Sequence, residues 1–362
     1  MAETSGMRLE RNTVFVLGAG FTKAFLPGAP LLIDDYGAVS LQSEFKRFPT
    51  ALRVLESEMD RKDPNRIDLE RVMTRASAGM PYDSEMGASE ELSLLFSKLK
   101  ASFESKLQTA RNGEVHEQDL AALARLCVER RIACVTFNYD DLLDEALWEV
   151  KRLIEADVGG PCWHPDGGYG FFCRPAWVMS GTVPAVRMGN VAMHLLKLHG
   201  SINWRVRLGY SSPLSPDALV HSEGWFPRLG VDDPDTEELE RHMEKSPFLV
   251  PPILTKDELV REPILRLIWT RAFAALASAD LVVFVGYSFP VTDIAARFLF
   301  TEAIRPETRL QVVNHARTET SQAALRARYR EALGVQHHQF TFEDALEWSR
   351  RLTGKYLRAS SS

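Results

Sequence analysis

Five short apolar runs, each broken off by small or polar residues, constrain this chain more than any other feature. They are residues 13–17 before Gly-Ala-Gly, 132–136 before Phe-Asn-Tyr-Asp and 193–198 before His-Gly-Ser. The other two are residues 281–285 before Gly-Tyr-Ser and 310–313 before Asn-His-Ala. They are rich in Val, Ile, Leu and Phe and show no sustained alternation, as expected of strands buried on both faces of a parallel sheet. His194, Lys197 and Gln311 interrupt the third and fifth runs. Between the runs the spacing turns helical. Residues 119–131 carry Leu120, Leu123, Leu126 and Cys127 on one face, and 264–278 lead in the same way into the fourth run. Strand, helix, strand, repeated, predicts an α/β fold: a Rossmann-like open, mostly parallel sheet with helices on both faces.

The connections are uneven. About 115 residues separate the first two runs, more than one crossover helix needs. Residues 41–118 read as a helical insertion, with Phe45, Phe48, Leu52 and Leu55 on one face and charge-rich 58–66 as a loop or solvated helix end. Irregular insertions are expected over about 150–190, rich in Gly, Pro and aromatics, and about 206–247. No clean linker appears, so the reading is one domain over 1–362, its core in 13–40, 119–145, 190–205 and 248–350. With 45% hydrophobic and 25% charged residues, 362 residues can bury a full core without metal or disulfide support. The net charge of -6 argues against sequence-independent nucleic-acid binding. No run of 18 apolar residues occurs, and the first residues lack the apolar core of a secretion signal. Cys127, Cys134, Cys162 and Cys173 form no CxxC pair, which fits reduced thiols. The expectation is a cytoplasmic protein that contacts neither nucleic acid nor membrane.

In open α/β sheets, ligands bind outside the carboxyl ends of the strands. Every predicted strand here ends in glycine or polar residues, which points to a nucleotide-sized ligand lying across them. Gly18, Ala19, Gly20 and Thr22 follow the first strand, where glycines let backbone approach a pyrophosphate and helix-head amides face it. A tight strand-to-helix turn explains the same residues. The third glycine of a GxGxxG fingerprint falls on Lys23, and Asp34 and Asp35 lie in a loop-like stretch rather than at the end of a second strand. This weakens a conventional dehydrogenase reading. Asn138 suits a ribose hydroxyl or a water, while Asp140 suits a plain helix N-cap. His199, at a strand end before Gly200, is placed as a general base. Gly286 and Ser288 offer close approach and a hydroxyl to a phosphate. Asn314 suits an adenosine ribose or a left-handed cap.

Taken in order, GAGFT, TFNYDDLLDEAL, KLHGSINW, the stretch from 250 to 293 and VVNHA resemble the sirtuin superfamily, and specifically its sirtuin-like bacterial branch, over roughly residues 13 to 315. The resemblance implies that Gly18, Ala19, Gly20 and Thr22 hold NAD phosphates and that Asn138 orients the reacting ribose or water. It implies further that Asp140 reads the nicotinamide amide, that His199 is catalytic, and that Gly286, Ser288 and Asn314 serve phosphate and ribose. Two departures stand out. No cysteine follows His199, so the four-cysteine zinc module of the deacylases is missing, and residues 28–32 echo the family's GIPxFR without its Arg. Sirtuin-like proteins without that module resemble NAD glycohydrolases of bacterial anti-phage defence. The implied activity is cleavage of NAD, as substrate and without zinc, to nicotinamide and ADP-ribose. A zinc-less protein deacylase and a non-catalytic NAD or ADP-ribose sensor are the alternatives. Such an enzyme requires control, and the expectation is assembly as a homo-oligomer or with a partner such as a HerA-like ATPase, with residues 41–102 as the candidate contact.

Overall fold

The computed structural model describes residues 8–83, 88–157, 163–171, 174–175, 191–206, 219–221, 247–254, 261–290, 293–334 and 338–357. Cys162, Cys173, the C-terminal Ala-Ser-Ser-Ser and most of the two stretches expected to be irregular lie outside those residues. The chain divides into two compact units: residues 28–114 with 250–258, and the rest.

The strands in chain order are β1 (Thr13–Leu17), β2 (Ile33–Asp35), β3 (Arg66–Asp68), β4 (Ala133–Thr136), β5 (Arg174–Pro175), β6 (Leu195–Lys197), β7 (Trp204–Val206), β8 (Leu219–His221), β9 (Leu281–Val285), β10 (Arg309–Val313) and β11 (His338–Thr341). The helices are α1 (Ala19–Phe25), α2 (Ala38–Glu44), α3 (Pro49–Ser57), α4 (Leu69–Ser77), α5 (Ala88–Arg111), α6 (Glu117–Arg130), α7 (Leu142–Asp157), α8 (Pro165–Gly168), α9 (Pro263–Ala277), α10 (Ile294–Ala303), α11 (Glu319–Leu333) and α12 (Ala345–Tyr356).

In the larger unit, six strands form one sheet in the order β11-β10-β9-β1-β4-β6, and every neighbouring pair is parallel. All five residues of β1 and of β9 are buried, which is why these segments are apolar without alternation. The chain runs from β1 outward through β4 to β6, returns to β9 beside β1, and continues outward to β10 and β11. The direction of winding therefore reverses between β1 and β9, the place where open α/β sheets bind ligands. On α6, Leu120, Leu123, Leu126 and Cys127 are buried, as their spacing predicts. Phe15 of β1 meets Trp348 of α12 edge-on at 5.2 Å. A small sheet in the order β5-β8-β7 accompanies the large one.

The smaller unit is mainly helical. Glu91 of α5 accepts from the amides of Thr50 and Ala51 at the head of α3, and Asp68 caps α4 through the Arg71 amide. Asp34 and Asp35 lie in β2, paired antiparallel with β3, rather than in a loop. With three residues per strand, alternation could not announce that pair. The Leu254 amide donates to Thr74 Oγ1, joining residues 250–258 to this unit. Among the described residues, no helix is long and apolar enough to cross a membrane.

Candidate active site

The five polar turns at the strand ends are tied together by bonds and ring contacts. The first, Gly18 to Thr22, packs on the turn after β9. Gly18 N–H donates to Val285 O at 3.0 Å, and Gly20 N–H to Gly286 O at 2.9 Å. A Cβ on Gly18 would lie 2.6 Å from Tyr287 Cα, and one on Gly286 (φ +63°) 2.1 Å from Phe21 N. This contact between two backbones accounts for the glycines without reference to a ligand, and it engages two of the amides that the sequence aims at a phosphate. Ala19 is exposed at the head of α1 and Thr22 is buried.

The second turn bridges the first and third. Asn138 Nδ2 donates to Gly18 O at 2.9 Å. A carbonyl can only accept, so this bond sets the amide's orientation and presents Asn138 Oδ1 as an acceptor. Thr22 Oγ1 donates to Asp140 Oδ2 at 2.5 Å, and the Leu142 amide donates to Asp140 Oδ1 at 3.3 Å. Asp140 thus caps the head of α7 and fastens it to α1 at once. Burial pushes its carboxyl above the ordinary range. The Lys197 ammonium, the Thr22 hydroxyl and the Leu142 amide pull it back, while Asp144 adds to the upward push.

His199 is only 5% exposed. Its ring centroid lies 5.4 Å from that of Phe137 and 5.9 Å from that of Tyr139, the two residues flanking Asn138. The Ile202 amide donates to Tyr139 O at 2.8 Å, holding the His-Gly-Ser loop on the Asn138 turn. Gly200 adopts φ +77°, and a Cβ there would stand 2.3 Å from Phe248 O.

On the other side of β1, Tyr287 stacks on Phe137 at 4.9 Å. Ser288 is exposed in that turn. Phe289 holds φ +54°, and its ring is buried against Phe284, Phe300 and Tyr329. Asn314 does not take the left-handed conformation. Its Nδ2 donates to Tyr287 O at 3.0 Å, an oxygen that also receives Tyr329 OH at 2.8 Å. Its amide thus steadies the turn after β9. Thr22, Asn138, Asp140 and His199 form one cluster with the Gly18 and Gly286 turns, while Asn314 joins it through Tyr287 and Ser288 makes no bond within it.

Sequence reasoning missed a buried polar network beneath this cluster. Lys197 Nζ pairs with Asp144 Oδ2 at 3.0 Å, each side chain 1% exposed. Lys197 Nζ also donates to the main-chain oxygen of Asp140, and Tyr169 OH donates to Asp144 Oδ1. Tyr169 belongs to a buried aromatic group with Trp163, Phe171 and Trp204. The signal was present as a lysine inside an apolar run and an aspartate four residues after Asp140.

Among the described residues, no group of three or more His, Cys, Asp or Glu is arranged to hold a metal ion. The chemical groups available are an amide acceptor, a carboxylate, a histidine and a hydroxyl at the winding reversal of the sheet.

Solved structures to which the chain is similar include a Sir2 homologue in complex with NAD, at 14% identity over 97% of this chain and 90% of that one, TM-score 0.41. A Sir2 homologue mutant in complex with ADP ribose is similar at 13% identity over 96% and 93%, TM-score 0.43. A structure concerned with sirtuin substrate affinity is similar at 13% identity over 96% and 94%, TM-score 0.42. No protein-family model and no curated protein sequence matches the chain.

Proposed function

We propose that this chain is an NAD glycohydrolase, cleaving the bond between nicotinamide and ribose. The observation that carries the reading is the seating of His199 against both neighbours of Asn138, beside an Asp140 fastened to Thr22 at the winding reversal of the sheet. Departure of neutral nicotinamide leaves oxocarbenium character at the ribose carbon, so the protein need only position the dinucleotide, orient water and accept a proton. Asn138 Oδ1, left as an acceptor by the bond to Gly18, orients the attacking water. His199 takes the proton as the water oxygen bonds to carbon, giving ADP-ribose, nicotinamide and one proton. Asp140 accepts from the nicotinamide carboxamide, Thr22 holds that carboxylate in place, and the exposed Ala19 and Ser288 face the phosphates. The order of the sequence motifs supports a role as an NAD-depleting effector of anti-phage defence in the cytoplasm, controlled by self-association or by an ATPase partner.

Incubation of the purified protein with NAD, read by chromatography, tests the activity. Nicotinamide and ADP-ribose are expected without any acyl peptide. Both His199→Ala and Asn138→Ala should lose about 100- to 10,000-fold in rate while keeping the parent's melting temperature within a few degrees. Release that requires an acyl-lysine peptide, or that survives in both variants, would refute the proposal.

A further inference from the structure

Lys197 is the one residue of β6 whose side chain is charged, and it is wholly buried. Stability does not explain it. Replacing a buried ion pair with apolar residues of similar volume is often neutral or stabilising, and β6 is otherwise an apolar strand. Its position is more telling. It stands two residues before His199, and its ammonium reaches Asp144 on α7 and the peptide oxygen of Asp140 in the Asn138 turn. One side chain therefore joins the strand that carries the histidine to the turn that carries the amide and the carboxylate. Tyr169, inserted from the aromatic group, occupies the other oxygen of Asp144, so the carboxylate is satisfied on both sides and held in one orientation.

We propose that Lys197 is a positioning residue for the candidate site: locked by Asp144 and Tyr169, its ammonium pins the Asp140 peptide and serves as the counter-charge of the Asp140 carboxylate. That this carboxylate faces NAD rests on the function proposed above; the pinning and the counter-charge do not. The groups that bear on Asp140 are Thr22 from α1, Lys197 from β6, and the Leu142 amide and Asp144 from α7. Of these, Lys197 acts most strongly to keep the carboxyl ionised, whereas Asp144 acts weakly the other way. Removing the whole network therefore leaves a half-buried carboxyl with less to hold its charge.

The test is the triple replacement Lys197→Met, Asp144→Leu, Tyr169→Phe, which removes the network with little change of volume and leaves the Asp140 carboxylate without its counter-charge. Two readouts are taken. The first needs no NAD: the pH at which the gain in melting temperature from Asp140→Asn stops growing, which follows the folded-state titration of Asp140, measured in the parent and in the triple variant. That pH should move up in the triple variant. The second is nicotinamide release, whose acid limb in kcat/KM should move up by the same amount. Superimposable stability curves would overturn the proposal and leave Lys197 a packing residue. If the stability curves shift while no nicotinamide is released by the parent, the positioning inference stands and the NAD reading falls. Should the triple variant fail to fold, Asp144→Asn alone decides. It keeps the ammonium and removes the opposing charge, so the pH at which the gain levels off should move down, and a levelling-off that stays or rises would overturn the proposal.

Discussion

Asp140 shows at the scale of one residue how a site is held against stability. Its two oxygens are occupied by Thr22 and the Leu142 amide, yet burial still pushes the carboxyl up. A carboxyl raised in the folded state contributes stability that is complete below its unfolded value, about 3.9, and lost as pH climbs through the folded value. Above that window the ionised Asp140 opposes folding. Asp140→Asn should therefore leave the melting temperature unchanged near pH 4 and raise it at pH 7, while nicotinamide release falls at least tenfold. A melting temperature lowered at pH 7 would show that the bond to Thr22 outweighs the desolvation. Asn138 was legible as a candidate because a polar residue stood where a strand ended. Lys197 was not, because periodicity scores a lysine in a strand as a flaw in the strand rather than as a partner for an aspartate 53 residues earlier.

At the scale of elements, the turns after β1 and β9 are closed by glycine on both sides. A methyl group on Gly286 meets the Phe21 amide nitrogen and Gly20 backbone, and its φ of +63° adds the left-handed penalty. Gly286→Ala should cost more than about 2 kcal/mol, combining left-handed strain with overpacking. Gly28→Ala, where an added Cβ meets nothing within 4 Å, should stay within about 0.5 kcal/mol. Denaturant titration of the two variants checks both values, and equal midpoints would mean that the turns separate easily. The five apolar runs became β1, β4, β6, β9 and β10, and two helices fell where the 3.6-residue spacing placed them. The sixth strand, β11, escaped because His338-Gln339-Phe340-Thr341 sits at the sheet edge and pairs only with β10, so little selects for apolar residues on it. Arg131 ends α6 in the left-handed conformation that usually takes glycine, so no stop signal marked that helix.

For the whole molecule, ligand binding and stability are linked. A ligand that binds only the folded chain stabilises it by about 2.7 kcal/mol at one hundred times its dissociation constant. In a chain of this size that is a rise of roughly 4 °C in melting temperature. The measurement belongs to His199→Ala, which does not consume the NAD. A rise that saturates with NAD is expected, and none at millimolar NAD would sink the dinucleotide reading. Two things were readable along the chain itself: the parallel α/β class, because strands buried on both faces must be apolar throughout, and the polar turns, because each strand has to end. Both depend on residues within one short segment. Which turns meet was decided only in the tertiary structure. Strand order placed β9 beside β1, set glycine against glycine there, seated His199 against the neighbours of Asn138, and brought Lys197 under Asp140. Such contacts join residues more than a hundred positions apart in several cases, and no local pattern of spacing or propensity records them.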